Sequence, residues 1–236
     1  MVLIEPHERL DANVALLTGR KFQHLRDVLR VEVGQTVRCG LLNGCLGEGE
    51  VIHRTATQIR LRLQLEEAPP APLDIPLVLG LPRPHNLGPK LQSLVNLGVK
   101  RVDLIHSFRV QKAFWQSDEL LESSLHRYVV RGLEQACDTV EPDIRQYRFF
   151  KPYIEDILPN FLKSGQLQLI AHPYVSRQAP WNVRESLCLA VGPEGGWIDY
   201  EVEQFQNLGF EPIQLGQRIL KLDVALLTLI GRLKTL

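Results

Sequence analysis

The stretch 187-LCLAVGPEGGW-197 combines an apolar strand with a glycine-rich loop. Its first five residues, Leu187–Val191, are apolar or small and run directly into a loop with three glycines and one proline. A continuously apolar segment of this length is typical of a strand buried on both faces, as in a parallel sheet. Glycines after such a strand allow backbone amides and carbonyls to approach a ligand closely. The stretch therefore predicts a buried strand that ends in a backbone-lined binding loop.

The helix that follows this loop begins with acidic residues. Asp199, Glu201 and Glu203 occupy its start, and no Lys or Arg accompanies them. A helix start rich in carboxylates is a poor site for phosphate. The loop also lacks the glycine spacing of the dinucleotide-binding and Walker motifs. It suits a neutral or cationic ligand, although an ordinary tight turn between a strand and a helix would show the same residues.

A second loop has a similar design. The strand candidate Phe210–Leu215 ends at Gly216, and Arg218 and Lys221 then precede Asp223 and the apolar C-terminal helix. Two glycine-bearing loops after two strands of one sheet favour a shared pocket. The alternative for this loop alone is a helix with an acid near its N-terminus and two solvated bases.

Apolar strands alternate with helices from residue 73 onward. The strand candidates are Ile75–Leu81, Val102–His106, Ile144–Phe149, Leu167–His172, Leu187–Val191 and Phe210–Leu215. The helix candidates are Leu87–Leu97, Asp118–Thr139, Tyr153–Lys163, Asp199–Leu208 and Leu222–Leu233. This alternation predicts an α/β domain whose parallel sheet is covered on both faces. Ligands of such sheets bind beyond the carboxyl ends of the strands.

The segment 66-EEAPPAP-72 predicts a domain boundary, because three prolines in four positions favour an extended spacer. The expected domains are 1–68 and 73–236. The first domain is expected to be a small, partly closed β-barrel. Its predicted elements are a helix at Lys21–Leu29, strands at Thr36–Leu42, Glu48–His53 and Gln58–Leu65, and a hairpin turn at Asn43-Gly44.

Composition excludes several classes of protein. The 236 residues are 44% hydrophobic, and 27 basic side chains balance 27 acidic ones, which excludes a disordered chain. No apolar run approaches the roughly 18–20 residues of a membrane helix, and the N-terminus does not resemble a signal peptide. The four cysteines form no Cys-x-x-Cys pair, so we expect no metal site and a cytoplasmic protein.

Both glycine loops closely resemble the paired motifs of the RsmE-type ribosomal RNA methyltransferases. The matching segments are 191-VGPEGGW-197, with Glu201 after it, and 215-LGQRILK-221. Similar family segments also occur upstream at His24–Arg30, Leu91-Gln92, Leu97–Val99 and Leu133–Ala136. The resemblance thus extends over nearly the whole chain.

This resemblance implies a fold, an activity and partners. The family belongs to the SPOUT class, so we expect an α/β trefoil-knot domain preceded by a small PUA-like β-barrel that binds RNA. The implied activity is S-adenosylmethionine-dependent methylation of uridine N3 in small-subunit (16S) ribosomal RNA. The implied assembly is a homodimer in the cytoplasm that acts on ribosomal RNA or the small ribosomal subunit, without a membrane or a metal.

Site residues follow from the same motifs. The expected cofactor-binding residues are His172, Val191, Gly192, Pro193, Glu194, Gly195, Gly196, Leu215, Gly216, Ile219 and Leu220. Arg218 and Asp223 are the expected catalytic residues, because a permanent positive charge can stabilise the anion that develops on uracil. The expected RNA-binding residues are Arg26, Arg30, Arg83, Arg109 and Lys112, with Phe108, Phe114 and Trp115 interleaved as stacking rings.

The chain departs from the family pattern in one helix and one loop. Ser93 and Asn96 replace a Lys and a Glu, and Lys221, Leu222 and Asp223 replace Arg, Thr and Glu. Two alternatives therefore stay open, a methyltransferase acting on a different RNA site and a non-catalytic RNA-binding homodimer. A nucleotide-dependent oxidoreductase fits less well, since its glycine fingerprint is missing.

Overall fold

The computed structural model describes residues 1–235, which form two compact units. The first unit contains Met1–Ala71 together with Val130–Glu141, and the second contains Pro72–Val129 and the chain from Pro142 onward. The break between residues 71 and 72 lies in the proline-rich segment. The return of Val130–Glu141 to the first unit is not anticipated by the sequence pattern, which treats 73–236 as one stretch.

Five strands form a curled mixed sheet in the first unit. They are β1 (Val2–Ile4), β2 (Val14–Leu17), β3 (Thr36–Leu41), β4 (Leu46–Arg54) and β5 (Ile59–Glu67). Their order is β1-β3-β4-β5-β2, with β1 and β3 parallel and the other pairs antiparallel. The two-residue alternation of β5 places Ile59, Leu61 and Leu63 in the core of this unit. β1 and β2 are the two strands that the sequence pattern does not predict.

The helix expected at residues 21–29 begins two residues earlier, ends one residue earlier and changes from α-helical to π-helical winding. It consists of α1 (Gly19–Gln23) and a π-helical turn (His24–Val28), which buries Leu25. Arg30 lies beyond the turn with a φ of 51°. Arg26 and Arg30 are four residues apart, a spacing that would put them on one face of a continuous helix, but they do not share a helix face because no helix continues to Arg30.

Backbone hydrogen bonds join Val130–Glu141 to the first unit. The N-terminal amino group of Met1 donates to the carbonyl of Glu134 at 3.2 Å. The Asn43 amide donates to the Thr139 carbonyl at 2.8 Å. Such long-range bonds leave no pattern in the local sequence. The sequence of Val130–Glu141 therefore predicts only the end of a helix.

The second unit is built on a six-stranded parallel sheet. Its strands are β6 (Leu77–Gly80), β7 (Arg101–Ile105), β8 (Asp143–Tyr147), β9 (Leu167–Ala171), β10 (Leu187–Val191) and β11 (Glu211–Ile213). The order is β11-β9-β10-β6-β7-β8, and every neighbouring pair is parallel. The parallel sheet expected from the strand–helix alternation is therefore present.

Helices cover this sheet. They are α2 (Pro84–Asn96), α3 (Glu122–Ala136), α4 (Phe150–Pro152), α5 (Asp199–Asn207) and α6 (Leu222–Leu233). The helix expected at 153–163 is instead a series of short turns, which begins with α4 and ends with a 3-10 turn at Leu158–Asn160. Within residues 1–235, no helix combines the length and the apolar character needed to cross a bilayer.

The continuous apolar pattern of β10 reflects burial on both faces of the sheet. Leu187, Leu189 and Val191 pack into the cluster that contains α2 and α6. Cys188 and Ala190 pack into the opposite cluster, which contains α5. Because neither face is solvated, the strand needs no alternating polar residues.

The segment between β9 and β10 runs beside the C-terminal part of the chain. The Ala179 amide donates to the Gln214 carbonyl at 2.9 Å, and the Val183 amide donates to the Leu233 carbonyl at 2.7 Å near the end of α6. The segment therefore contacts both the start and the end of the terminal β11–α6 region. The knot expected from the resemblance depends on this crossing.

Candidate functional site

A cleft lies at the carboxyl ends of three adjacent strands of the second unit. Ala171, Val191 and Ile213, which end β9, β10 and β11, form its floor. Its volume is about 900 Å³ including the open mouth. The position is the one expected of a parallel sheet, where the loops that follow the strands converge.

The structure brings all the sequence-predicted cofactor residues together around this cleft. They are His172, Val191, Gly192, Pro193, Glu194, Gly195, Gly196, Leu215, Gly216, Ile219 and Leu220. They come from three loops that are far apart in sequence. The two glycine loops thus face one cavity.

The first glycine loop is tightly folded. The Gly196 amide donates to the Pro193 carbonyl at 2.8 Å, and Gly196 has a φ of 71°, which glycine adopts readily. A Cβ on Gly192 would come within 3.1 Å of the backbone of Gly196. Side chains at these positions would open the turn, so the glycines keep the backbone close to the cleft.

Glu194 anchors this loop to the start of α2. Its carboxylate accepts from the Arg83 amide at 3.1 Å and from Asn86 Nδ2 at 3.3 Å. Lys90 Nζ lies 3.8 Å from the same carboxylate, and the Lys90 side chain is only 6% exposed. Since its carboxylate is used in this way, Glu194 contributes to the cleft mainly through its backbone.

Glu201 anchors the other end of the loop. Its buried carboxylate accepts from the Phe108 amide at 2.8 Å and from the Ile198 amide at 3.0 Å. Burial raises the pKa of this carboxyl, while the two amides and Arg109 act in the opposite direction. Glu201 therefore ties the loop after β10 to the loop after β7.

Arg109 closes one side of the cleft. Its guanidinium donates to the carbonyl of Gly195, and its side chain lies along the cleft wall. The sequence pattern predicts Arg109 as an RNA-binding residue, and the structure places it in the lining of the cleft. The hydrogen bond from the Phe108 amide to Glu201 fixes the backbone next to Arg109. The local sequence does not reveal this contact between distant residues.

Three buried polar atoms around the cleft have no hydrogen-bond partner within residues 1–235. They are His172 Nδ1, Trp197 Nε1 and Gln214 Oε1. Buried polar groups are normally paired, so these three atoms are unusual; each has almost no solvent exposure and belongs to a residue that lines the cleft. Burial lowers the pKa of His172, so its imidazole is neutral at pH 7. Trp197 is the last residue of the first motif and Gln214 immediately precedes the second, yet neither is among the predicted cofactor residues.

The two predicted catalytic residues are separated. Arg218 is exposed and lines the cleft. Asp223 lies on the first turn of α6 and lines a different depression, together with Lys90 and Ser93. Arg218 can therefore act on a group bound in the cleft of its own chain, whereas the catalytic role of Asp223 stays a prediction.

Of the remaining predicted RNA-binding cations, Arg30, Arg83 and Lys112 are exposed and Arg26 is half-buried. Arg83 and Lys112 belong to the second unit, and Arg26 and Arg30 belong to the first. Arg26 bonds to the neighbouring Asp27 at 2.5 Å, which offsets its charge.

The three interleaved rings differ in burial. Phe108 is 77% exposed, Phe114 is partly buried, and Trp115 is only 6% exposed. Trp115 Nε1 donates to His106 Nδ1 at 2.9 Å. Phe108 alone of the three is free to stack on a base, and Trp115 is a core residue.

Glu5, His7 and Glu8 in the first unit are close enough together to ligate a cation. Lys21 already lies among them, with Nζ 2.8 Å from Glu5 Oε1 and 2.6 Å from Glu8 Oε2. Because the ammonium supplies the positive charge, this cluster needs no metal to balance it.

The fold and the cleft define an RNA methyltransferase domain, and the chain belongs to that family. The model of the RNA methyltransferase domain family matches residues 69–234. Among curated proteins, the chain is similar to the ribosomal RNA small subunit methyltransferase E of Treponema pallidum, with 27% identity over 95% of this chain and 86% of that protein. The enzyme of the same name from Synechocystis sp. is 26% identical over 93% of this chain and 72% of that protein.

Solved structures show the same fold. A ribosomal RNA small subunit methyltransferase E from Neisseria gonorrhoeae, bound to S-adenosyl methionine, superposes with a TM-score of 0.74. It is 22% identical and covers 98% of this chain and 95% of that one. The expected fold class, a SPOUT-type α/β domain with a small barrel-like N-terminal unit, is confirmed.

Replacing Glu201 by Gln tests the anchor of the glycine loop. The amide group of Gln presents only one acceptor, so one of the two buried amide donors loses its partner. We expect the free energy of unfolding to fall by about 1–3 kcal/mol, measured by urea denaturation. Glu203→Gln is the matched control, because Glu203 is exposed on the same helix. Equal stability of the two variants would contradict the anchor.

His106 makes stability depend on pH. Its Nδ1 accepts from Trp115, and burial lowers its pKa, so the folded chain binds the proton less readily than the unfolded chain. His106 therefore leaves the free energy of unfolding unchanged above the ordinary His pKa of about 6.5. The free energy of unfolding falls as the pH drops through that value. His106→Asn keeps an acceptor without titrating, and urea denaturation should show a smaller acid loss in this variant. Asn at the exposed His53 should leave the loss unchanged.

Proposed function

We propose that the protein transfers a methyl group from S-adenosylmethionine to N3 of a uridine in small-subunit (16S) ribosomal RNA. One observation carries the proposal: two glycine loops line a single cleft at the carboxyl ends of β9, β10 and β11, and Arg218 is among the residues that line it. Membership of the RNA methyltransferase family supports the reaction type. The names of the similar proteins from Treponema pallidum and Synechocystis sp. support the ribosomal substrate.

The residues of the cleft fit S-adenosylmethionine. The loop backbone that lines the cleft can hydrogen-bond an uncharged adenine. Three residues of the lining, His172, Trp197 and Gln214, each carry a buried polar atom that has no hydrogen-bond partner within residues 1–235. His172 is neutral at pH 7, so its imidazole does not repel a sulfonium cation. The carboxylate of Glu194 is held against α2, so it does not compete for the cleft.

The chain's own residues then orient and stabilise the reacting uracil. Bound S-adenosylmethionine would supply the methyl group from its sulfonium and would leave as S-adenosylhomocysteine. N3 of uracil would form the new N–CH3 bond and release its proton to water. Arg218 faces the cleft and can hold a uracil carbonyl while negative charge develops on the ring. Holding both reactants in one cleft replaces an encounter in solution by positioning.

The proposal also includes the residues that contact RNA and the cellular location of the protein. Arg26, Arg30, Arg83, Arg109 and Lys112 are proposed to contact ribosomal RNA or the small subunit through its phosphates, and binding should weaken with salt. The protein is proposed to act in the cytoplasm, where its ribosomal substrate is assembled.

We also propose a homodimer that uses the solvent face of α6. Val224 and Leu227 are 46% and 41% exposed on this helix. Thr228 and Gly231, also exposed, extend the face with small side chains. An apolar helix face without a partner in its own chain suits contact with a second copy, as the family resemblance implies.

Arg218→Ala tests the catalytic proposal. Removing the charge should lower methyl transfer to ribosomal RNA by about 10²–10³-fold at saturating cofactor, while calorimetry should show S-adenosylmethionine affinity within a few-fold of wild type. Arg184→Ala is the control, because Arg184 is exposed. Mass spectrometry of RNA nucleosides identifies the methylated position. Near-full transfer by Arg218→Ala would remove the role, and a different methylated nucleoside would favour another RNA site.

Leu227→Asp tests the dimer. A carboxylate in the centre of the apolar face should yield monomers in analytical ultracentrifugation, because an unpaired charge at an interface is costly. The Leu121→Asp variant changes a leucine that is 54% exposed elsewhere, and it should remain dimeric. An unchanged dimer in Leu227→Asp would place the interface on another surface.

A further inference from the structure

A group of exposed aromatic rings lies beside the cleft, and neither the fold nor the cleft accounts for it. Phe108 is 77%, Phe149 71% and Tyr200 48% exposed. Single exposed rings are common, whereas several in one neighbourhood can form a patch that marks a binding surface. We call Phe108, Phe149 and Tyr200, with the cations Arg109 and Arg148, the aromatic rim.

Contacts in the second unit place the three rings on one edge of the sheet. The His106 amide donates to the Tyr147 carbonyl at 2.9 Å, so the chain segments that carry Phe108 and Phe149 leave neighbouring strands side by side. The Phe108 amide bonds to Glu201, the residue after Tyr200. The ring of Phe150, next to Phe149, lies 6.4 Å from that of Tyr200.

The rim is continuous with the cleft. Arg109 follows Phe108 and donates to the carbonyl of Gly195 on the cleft wall. At the other end, Arg148 precedes Phe149 and donates to the Trp115 carbonyl at 3.4 Å. Two pairs of an exposed ring and a cation, Phe108 with Arg109 and Phe149 with Arg148, therefore follow the neighbouring strands β7 and β8, and one of them reaches the cleft wall.

We infer that the aromatic rim binds the unpaired nucleotides that flank the target, with bases stacked on its rings and phosphates facing its arginines. Aromatic rings and cations in alternation are typical of single-strand binding, because every base has a face that stacks. A duplex keeps its bases stacked on one another and cannot use the rings. The inference rests on the proposed function and specifies its substrate as an unpaired RNA segment.

Fluorescence anisotropy with labelled decauridylate tests the rim. Phe108→Ala and Phe149→Ala should each weaken binding by about fivefold to a hundredfold, the range for losing one stacked base. They should leave the salt dependence unchanged, whereas Arg148→Ala should reduce its slope by about one phosphate contact. Trp181→Ala, which removes another ring that is 73% exposed, should bind like wild type.

Two further measurements make the outcome decisive. Wild type should bind decauridylate more tightly than the same strand paired with decaadenylate, and the preference should shrink in the Phe108→Ala, Phe149→Ala double variant. In methyl transfer, this double variant should raise KM for RNA and keep kcat. Unchanged RNA affinity in both ring variants, or a lower kcat with an unchanged KM, would overturn the inference and favour a protein partner. Failure of wild type to bind S-adenosylmethionine or to methylate RNA would instead contradict the proposed function.

Discussion

The arrangement of the second unit depends on one buried carboxylate, that of Glu201. Two backbone amides from different loops donate to it, and it is 2% exposed. Hydrogen bonds to a buried charged acceptor are strong, and losing one leaves a costly unpaired group. This bridge holds Arg109 against Gly195 and places the rim next to the cleft. Glu194 similarly ties the glycine loop to the start of α2, where its carboxylate accepts from the Arg83 amide.

Much of the second unit can be predicted from its sequence, because its strands are buried on both faces. The strand Leu187–Val191 has the bounds expected from its apolar run, since a parallel strand between two helical layers needs no polar alternation. The cleft residues also follow from the two motifs, whose glycines and following turns are local features. The short strands β1 and β2 were missed because three or four residues carry too little periodicity.

Contacts between distant segments could not be predicted. Nothing in the sequence near Arg109 shows that it would reach Gly195. That contact depends on the neighbouring residue Phe108, whose amide is held by Glu201 in the first turn of α5. Asp223 lies only five residues from Arg218, yet the start of α6 directs the two toward different depressions. Closeness in the sequence therefore does not show that two side chains belong to the same site. Likewise, Trp115 fits a stacking pattern in the sequence, but its ring is buried and its Nε1 donates to His106, so it does not stack on a base.

The crossing of the C-terminal region has a consequence for biosynthesis. Residues 215–229 supply one wall of the cleft, and Leu233 pairs with Val183, which precedes it by fifty residues. During translation the N-terminal unit's sheet can form early, since its strands all lie before residue 68. The second unit, by contrast, lacks part of its cavity lining until translation has passed Leu229. A nascent chain that has reached only residue 214 therefore lacks one wall of the cleft, even when the sheet of its N-terminal unit has already formed.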